Sequence, residues 1–111
     1  MALIVQKYGG TSVGSVERIE AVAERVARHH SDGDQLIIVV SAMSGETNRL
    51  LGLARDLTSN PSPRELDVLV STGEQVSMSL LAMALHKRGI DALSLKAVSY
   101  THLRAHETPL H

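Results

Sequence analysis

The sequence has 111 residues, which is enough for one small domain or for part of a larger one. Hydrophobic residues make up 43% of it and Phe, Trp and Cys are absent, so we expect an aliphatic core with neither disulfides nor a thiolate metal site. A net charge of −1 with both signs interspersed, and no apolar run of membrane-spanning length, argue against nucleic-acid and membrane partners and predict a cytoplasmic protein.

The first part of the chain predicts a strand, a helix and a second strand. Residues 2–7 (ALIVQK) form a short apolar run, and residues 35–40 (QLIIVV) form another. Between them apolar residues recur at helical spacing from Val16 to Ala27, with Ser15 as a candidate N-cap. Continuous apolar strands are typical of a parallel sheet that helices cover on both faces, and the order indicates a right-handed crossover.

The second part predicts more helix and one further strand. A helix with several leucines follows residue 46, and SNPSP (59–63) marks a break with Pro63 at the start of the next helix. We expect STGEQ (71–75) to interrupt that helix, a further helix to stop at Gly89, and IDALSL (90–95) to form a third strand. The predicted class is therefore α/β, a partial three-layer αβα sandwich with a mostly parallel sheet.

Three polar stretches carry the chemistry, namely KYGGTSVG (7–14), SAMSGE (41–46) and STGE (71–74). The first two follow strands and precede helices, so they should open at the edge where α/β sheets bind ligands, beside helix N-termini that favour anions. The order of Lys7 and the glycines fits neither the P-loop nor the dinucleotide fingerprint.

The residue types in these stretches suit a phosphate. Gly9 and Gly10 allow close approach of main-chain N–H groups, Lys7 adds a positive charge, and hydroxyl groups come from Thr11, Ser12 and Ser41. The plainer alternatives are a tight turn at the glycines, first-turn acids at Glu46 and Glu74, and an ordinary helical residue at Thr47. The residues alone therefore predict an anion or phosphate site on an α/β sheet and leave its reaction open.

The combination of three motifs in order resembles the N-terminal part of the aspartokinases, within the amino acid kinase family. The matching stretches are KYGGTSVG (7–14), VVSAMSGETN (39–48) and RELDVLVSTGEQ (64–75), and the resemblance continues to about Leu95. Tyr8 stands where that family usually has Phe. The resemblance implies an amino acid kinase fold, similar to that of carbamate kinase, of which this chain would hold the N-terminal half. It also implies ATP-dependent phosphorylation of the side-chain carboxylate of L-aspartate, a step that leads to lysine, threonine, methionine and diaminopimelate.

Residue roles follow from that resemblance by position. Lys7 would be catalytic and would stabilise the transferring phosphoryl group, and Thr47 and Glu74 would bind aspartate. Magnesium would arrive with ATP, and no protein ligand for it can be named. The expected contacts to the phosphates of ATP are Lys7, Tyr8, Gly9, Gly10 and Ser41, with Thr11 and Ser12 as weaker candidates.

The resemblance ends after residue 95. Family members are several times longer and, as whole enzymes, are expected to be homo-oligomers. Residues 96–111 depart from the family, and the tail resembles a translated sequencing-adapter read-through that we expect to be artefactual or disordered. His102 and His106 stand four apart, but no third metal ligand accompanies them at a sensible spacing. Residues 1–95 would then be the N-terminal part of the catalytic domain, and we expect the chain to be inactive alone. The alternatives are a non-catalytic phosphate-binding fragment and another amino acid kinase.

Overall fold

The computed structural model describes residues 2–95, and the expectations for the tail lie outside that range. Two strands form a parallel sheet with three helices beside it. The elements are β1 (Leu3–Tyr8), α1 (Val16–Ser31), β2 (Gln35–Val40), α2 (Glu46–Leu57) and α3 (Pro63–Lys87). The strands pair in register from Leu3 opposite Gln35 to Tyr8 opposite Val40. This confirms the α/β class, the parallel strands and the α1 crossover.

The two faces of the sheet differ in their environment. One face packs on the helices, and its core includes Tyr8, Val40, Val22, Val26 and Leu81. The other face carries Leu3, Val5, Ile37 and Val39, which are 45–64% exposed. Residues 2–95 therefore supply two layers of the predicted sandwich, the sheet and the helices on one face, although the strands are apolar on both faces.

Local signals place the ends of the helices as expected. The Ser15 hydroxyl accepts a hydrogen bond from the Arg18 N–H (3.2 Å) and begins α1. Ser62 caps α3 and Pro63 is in its first turn. Gly33 and Gly89 follow the ends of α1 and α3 with φ values of +84° and +80°, which L side chains rarely adopt.

Two predictions from the sequence are wrong. STGEQ does not interrupt a helix, because α3 runs unbroken from Pro63 to Lys87. The Ser71 and Thr72 hydroxyls donate to the carbonyls of Val68 and Leu69 (2.8 and 2.6 Å), so these polar residues are satisfied within the helix.

Residues 90–95 do not form a third strand. The Ile90 N–H donates to the Leu85 carbonyl (3.0 Å), which closes the end of α3, and the His86 ring nitrogen lies 2.7 Å from the Ala92 carbonyl. Ile90 and Ala92 then pack against the core. The segment is thus bound to the end of α3 instead of pairing with β2.

By length and composition α3 is the one helix among residues 2–95 that could cross a membrane. Here it packs against α1 and α2, and Lys87 near its end forms an ion pair with Glu20 of α1 at 2.6 Å. A long core helix passes the same test of length and composition, so this feature is weak evidence for a membrane.

Candidate functional site

The loops after the two strands are joined at the carboxyl edge of the sheet. The Ser41 N–H donates to the Tyr8 carbonyl (3.0 Å), which extends the pairing of the strands by one residue. The Ser44 N–H donates to the Gly10 carbonyl (3.2 Å). The loop 9–15 and the loop 41–45 therefore form one surface, as the parallel strands predicted.

The two glycines of the first loop have different surroundings. A Cβ placed on Gly10 would lie 2.8 Å from the Ala42 carbonyl oxygen, so packing requires glycine there. A Cβ placed on Gly9 would meet no atom of residues 2–95 within 4 Å, and the φ of Gly9 is not positive. Glycine at position 9 therefore leaves open space in front of the main chain, which a ligand could fill.

Main-chain N–H groups are available in the same loop. Ser12 and Gly14 donate to the carbonyls of Gly9 and Thr11 (3.0 and 3.2 Å), which makes two successive turns. Among residues 2–95, the N–H groups of Gly9, Gly10 and Thr11 have no hydrogen-bond acceptor. Successive N–H groups without acceptors are the donors of anion-binding concavities.

Lys7 and Tyr8 lie on opposite faces of β1. The Lys7 side chain is on the open face, opposite Val39, and within the described part of the chain it makes no ion pair. The Tyr8 side chain is buried in the core, where its hydroxyl donates to the Gln6 carbonyl oxygen Oε1 (2.9 Å) and the Arg25 guanidinium lies 5.9 Å from the ring centroid. Any part that Tyr8 takes in a phosphate site therefore belongs to its main chain.

The hydroxyl groups assigned to the site lie around the joined loops. Thr11 and Ser12 are exposed on the first loop, and Ser41 is partly buried directly after β2. Thr47 is exposed in the first turn of α2. These four residues surround the edge at which both strands end.

The start of α2 shows a charge pair that the sequence reading missed. Gly45 begins the helix with φ +85° and no side chain caps its N-terminus. The Arg49 guanidinium donates to both carboxylate oxygens of Glu46 (2.6 and 3.1 Å), and this bonding lowers the pKa of Glu46. The i,i+3 spacing of an acid and an arginine was the available signal.

Glu74 is in the interior of α3, not at a helix start, so the alternative of a first-turn acid is wrong for this residue. It is exposed and lines a cleft of about 560 Å³ beside β2. Val39, the cross-strand partner of Lys7, and Val40 line the same cleft. The fold thus brings Glu74 to the end of the sheet that carries Lys7 and the two loops.

A second cleft, of about 460 Å³, is lined by residues of α1, β2 and α3 and by the segment 90–95. His30 and Asp34 belong to it and none of the predicted site residues does. It includes Gln35 at the amino end of β2, so we attach the candidate site to the joined loops and not to this cleft.

Known proteins resemble this chain closely. The model of the amino acid kinase family matches residues 2–109. The aspartate kinase of Pseudomonas putida is 68% identical over 94 residues, which are 85% of this chain and 23% of that protein. The aspartokinase of Geobacillus stearothermophilus is 55% identical over 95 residues, which are 86% of this chain and 23% of that protein.

The solved structures include a similar fold. The crystal structure of an aspartate kinase from Synechocystis matches with a TM-score of 0.82 and 55% sequence identity, over 84% of this chain and 16% of that one. The chain thus spans about a quarter of the length of the curated relatives that it matches.

Proposed function

Because this chain belongs to the amino acid kinase family, we propose that it is the N-terminal part of an aspartate kinase, which transfers the γ-phosphoryl group of ATP to the side-chain carboxylate of L-aspartate. The supporting observation is the surface of joined loops, which within residues 2–95 has N–H groups without acceptors at residues 9–11, open space at Gly9 and the unpaired Lys7 side chain beside them. The products are 4-phospho-L-aspartate and ADP. We propose that the complete enzyme is cytoplasmic and homo-oligomeric and begins the route to lysine, threonine, methionine and diaminopimelate.

The chemistry of the acceptor explains why a site of this kind needs no general base. The side-chain carboxylate of aspartate has an ordinary pKa of about 3.9 and is ionised at neutral pH. One of its oxygens forms the new bond to the γ-phosphorus as the bond to the β-phosphate oxygen breaks, and the electron pair leaves with ADP. The difficulty is the approach of one anion to another, so catalysis depends on positioning and on neutralising charge.

The two loops supply that neutralisation in the proposed site. Main-chain N–H groups of residues 9–11 bind phosphate oxygens, with Ser41, Thr11 and Ser12 contributing hydroxyl groups. Lys7 directs its ammonium group to the phosphoryl group in transfer. A charged donor fixed by a strand requires little reorganisation during the reaction, which is the condition for strong transition-state stabilisation.

In the proposed site, residues of α2 and α3 hold the acceptor. Glu74 binds the α-ammonium group of aspartate, and the Thr47 hydroxyl binds a carboxylate. The charge on Glu74 favours an amino acid over a simple dicarboxylate, because only the amino acid brings a cation to it.

Magnesium enters with ATP and would offset charge on the β- and γ-phosphates. Glu46 is committed to Arg49, so residues 2–95 place no pair of uncommitted carboxylates on the joined loops. Such an environment fits an ion held by phosphate oxygens and water, as Mg²⁺ commonly is in kinases.

The direct test is a chimeric enzyme in which residues 2–95 of this chain replace the matching segment of the Pseudomonas putida aspartate kinase. We expect ATP-dependent formation of acyl phosphate, trapped as the hydroxamate, with aspartate and not with glutamate or acetylglutamate. A soluble chimeric enzyme that is inactive with all three would contradict the proposed function. Preference for another acceptor would favour a different amino acid kinase.

The alternative of a non-catalytic phosphate-binding fragment applies to the chain by itself, which covers only 23% of its curated relatives. Binding of ATP to the purified chain, without turnover, is the outcome that this alternative predicts.

A further inference from the structure

Ala42 lies between two glycines that come from different motifs. On one side a Cβ at Gly10 would be 2.8 Å from the Ala42 carbonyl oxygen. On the other side a Cβ at Gly73 would be 2.8 Å from the Ala42 Cβ and 3.3 Å from the Glu46 Cγ. Ala42 is 6% exposed, and Gly73 is buried as well. The three polar motifs therefore meet at one small residue.

The two contacts differ in the interactions that accompany them. The Ser44 N–H also donates to the Gly10 carbonyl, and the Ser41 N–H donates to the Tyr8 carbonyl directly before the first loop, so the first loop follows Ala42 closely. Within residues 2–95 no hydrogen bond joins Gly73 to the second loop, and α3 meets that loop there by van der Waals contact. The position of α3 against the second loop is consequently sensitive to side-chain volume.

Glu74 is the residue after Gly73 on the same helix. We propose that the contact of Gly73 with Ala42 sets the distance between Glu74 and the phosphate loop, so that Gly73 is a positioning residue for the acceptor amino acid. This inference rests on the proposed function, because it takes Glu74 as the group that binds aspartate.

The physical reason is the rigidity of both partners. Neither Cβ can rotate away, so a separation of 2.8 Å has to be relieved by displacement of main chain. An ordinary contact of 3.4–4 Å requires a shift on the order of 1 Å at Gly73, and a misplacement of about 1 Å can change a rate by a hundredfold. The shift moves Glu74 with α3, whereas Lys7 and the N–H groups of the first loop stay with Ala42.

The test is the Gly73→Ala variant of the chimeric enzyme. We expect its KM for aspartate to rise at least about tenfold while its KM for ATP changes by less than about twofold. The matched control is Gly52→Ala, another glycine-to-alanine change inside a helix, where an added Cβ meets nothing within 4 Å. That control should keep both KM values.

A compensating variant identifies the contact itself. Ala42→Gly combined with Gly73→Ala moves the methyl group from one side of the contact to the other, so we expect the KM for aspartate to return to within about threefold of the parent. If Gly73→Ala alone is insoluble, this combined variant decides: a soluble enzyme with parental KM supports the proposal, and an insoluble one or a raised KM overturns it.

The remaining outcomes separate this inference from the function on which it rests. An inactive parent chimeric enzyme overturns the proposed function and this inference with it. An active parent whose Gly73→Ala variant only melts at a lower temperature, or loses affinity for ATP and aspartate equally, leaves the proposed function standing and overturns the positioning role.

Discussion

At the scale of single residues, mutation can separate the tasks that we propose for the side chains around the joined loops. Lys7 is the cation on the open face of β1, and it has no partner within residues 2–95. Lys7→Met keeps most of the aliphatic stem and removes the charge. In the chimeric enzyme we expect kcat to fall at least about a hundredfold, comparable with the loss of one preorganised oxyanion donor, while the KM for aspartate changes little.

Steady-state kinetics with Lys87→Met as the control checks this expectation, because Lys87 is paired with Glu20 far along the chain from the loops. A Lys7→Met enzyme with near-parental kcat would remove Lys7 from the catalytic role.

Glu74 allows a second test by mutation of a single residue. Glu74→Gln keeps the size of the side chain and removes the charge that we assign to the α-ammonium group of aspartate. Charged hydrogen bonds contribute about 1.5–3 kcal/mol, so we expect the KM for aspartate to rise roughly ten- to a hundredfold with the KM for ATP unchanged. Glu65→Gln, at the start of the same helix, is the control. Equal changes in both KM values would argue that Glu74 serves α3 and not the substrate.

At the scale of elements, an ion pair joins two helices that are distant in sequence, and it makes the stability of the fold depend on pH. Lys87 of α3 donates to the Glu20 carboxylate of α1 (2.6 Å), and this bond lowers the pKa of Glu20 below its ordinary value of 4.5. A carboxyl whose pKa falls on folding adds stability above its unfolded pKa, and that stability is lost as the pH falls through the folded pKa. We therefore expect the contribution of this pair to the melting temperature to be constant between pH 7 and 5. That contribution should be lost as the pH falls below about 4.5.

Glu20→Gln should remove that part of the acid sensitivity, measured by thermal melts of the purified chain monitored by circular dichroism. Glu24→Gln is a matched control, because Glu24 also has a lowered pKa but pairs with Arg28 inside α1. Only the Glu20 change should also speed hydrogen exchange at the C-terminal end of α3. If the two variants behave alike, the bridge between helices has no role in holding α3 on α1.

The same scale shows which elements could be read from the sequence. β2 was predicted with its observed bounds, and Ser15, Pro63 and Gly89 marked helix ends, because each of these signals acts within a few residues. The prediction of a helix break at STGEQ was wrong. A glycine among hydroxyl residues is typical of a break, but Gly73 is required here by its contact with Ala42, a residue remote in sequence. The prediction of a strand at IDALSL was wrong because a strand needs a hydrogen-bonding partner strand, and the Ile90 N–H is bound to the end of α3.

Some features of the candidate site could likewise be predicted from the sequence, and others could not. Lys7 lies near the carboxyl end of β1, and Gly9, Gly10 and Ser41 follow strands that pair in parallel, so their meeting at one edge was predictable. The burial of the Tyr8 ring, the bond of Glu46 to Arg49 and the position of Glu74 inside α3 depend on how helices pack on the sheet, and the sequence pattern does not determine that packing.

At the scale of the whole molecule, residues 2–95 leave one face of the sheet and one edge of β2 uncovered. Leu3, Val5, Ile37 and Val39 are exposed on one face, and within residues 2–95 β2 pairs only with β1. We predict that the 111-residue chain alone forms no acyl phosphate from aspartate and ATP, because the chain spans about a quarter of the length of its curated relatives and the site proposed for residues 2–95 holds only part of the acceptor-binding residues. Hydroxamate trapping on monodisperse protein checks this, with the chimeric enzyme as the positive control. Sustained product from the chain alone would show that it is sufficient for catalysis.

The hydrogen bonds that join the two loops have a consequence for the order in which the site is built during translation. Every hydrogen bond that joins the loops is made by residues that precede α2, so these bonds can form once residues 41–45 have left the ribosome. Gly73 emerges later, by a few seconds at about 5–20 residues per second, and we expect it to dock against Ala42 in loops that are already joined. The loops that we assign to ATP would thus be in place before the helix that carries Glu74 is added to them.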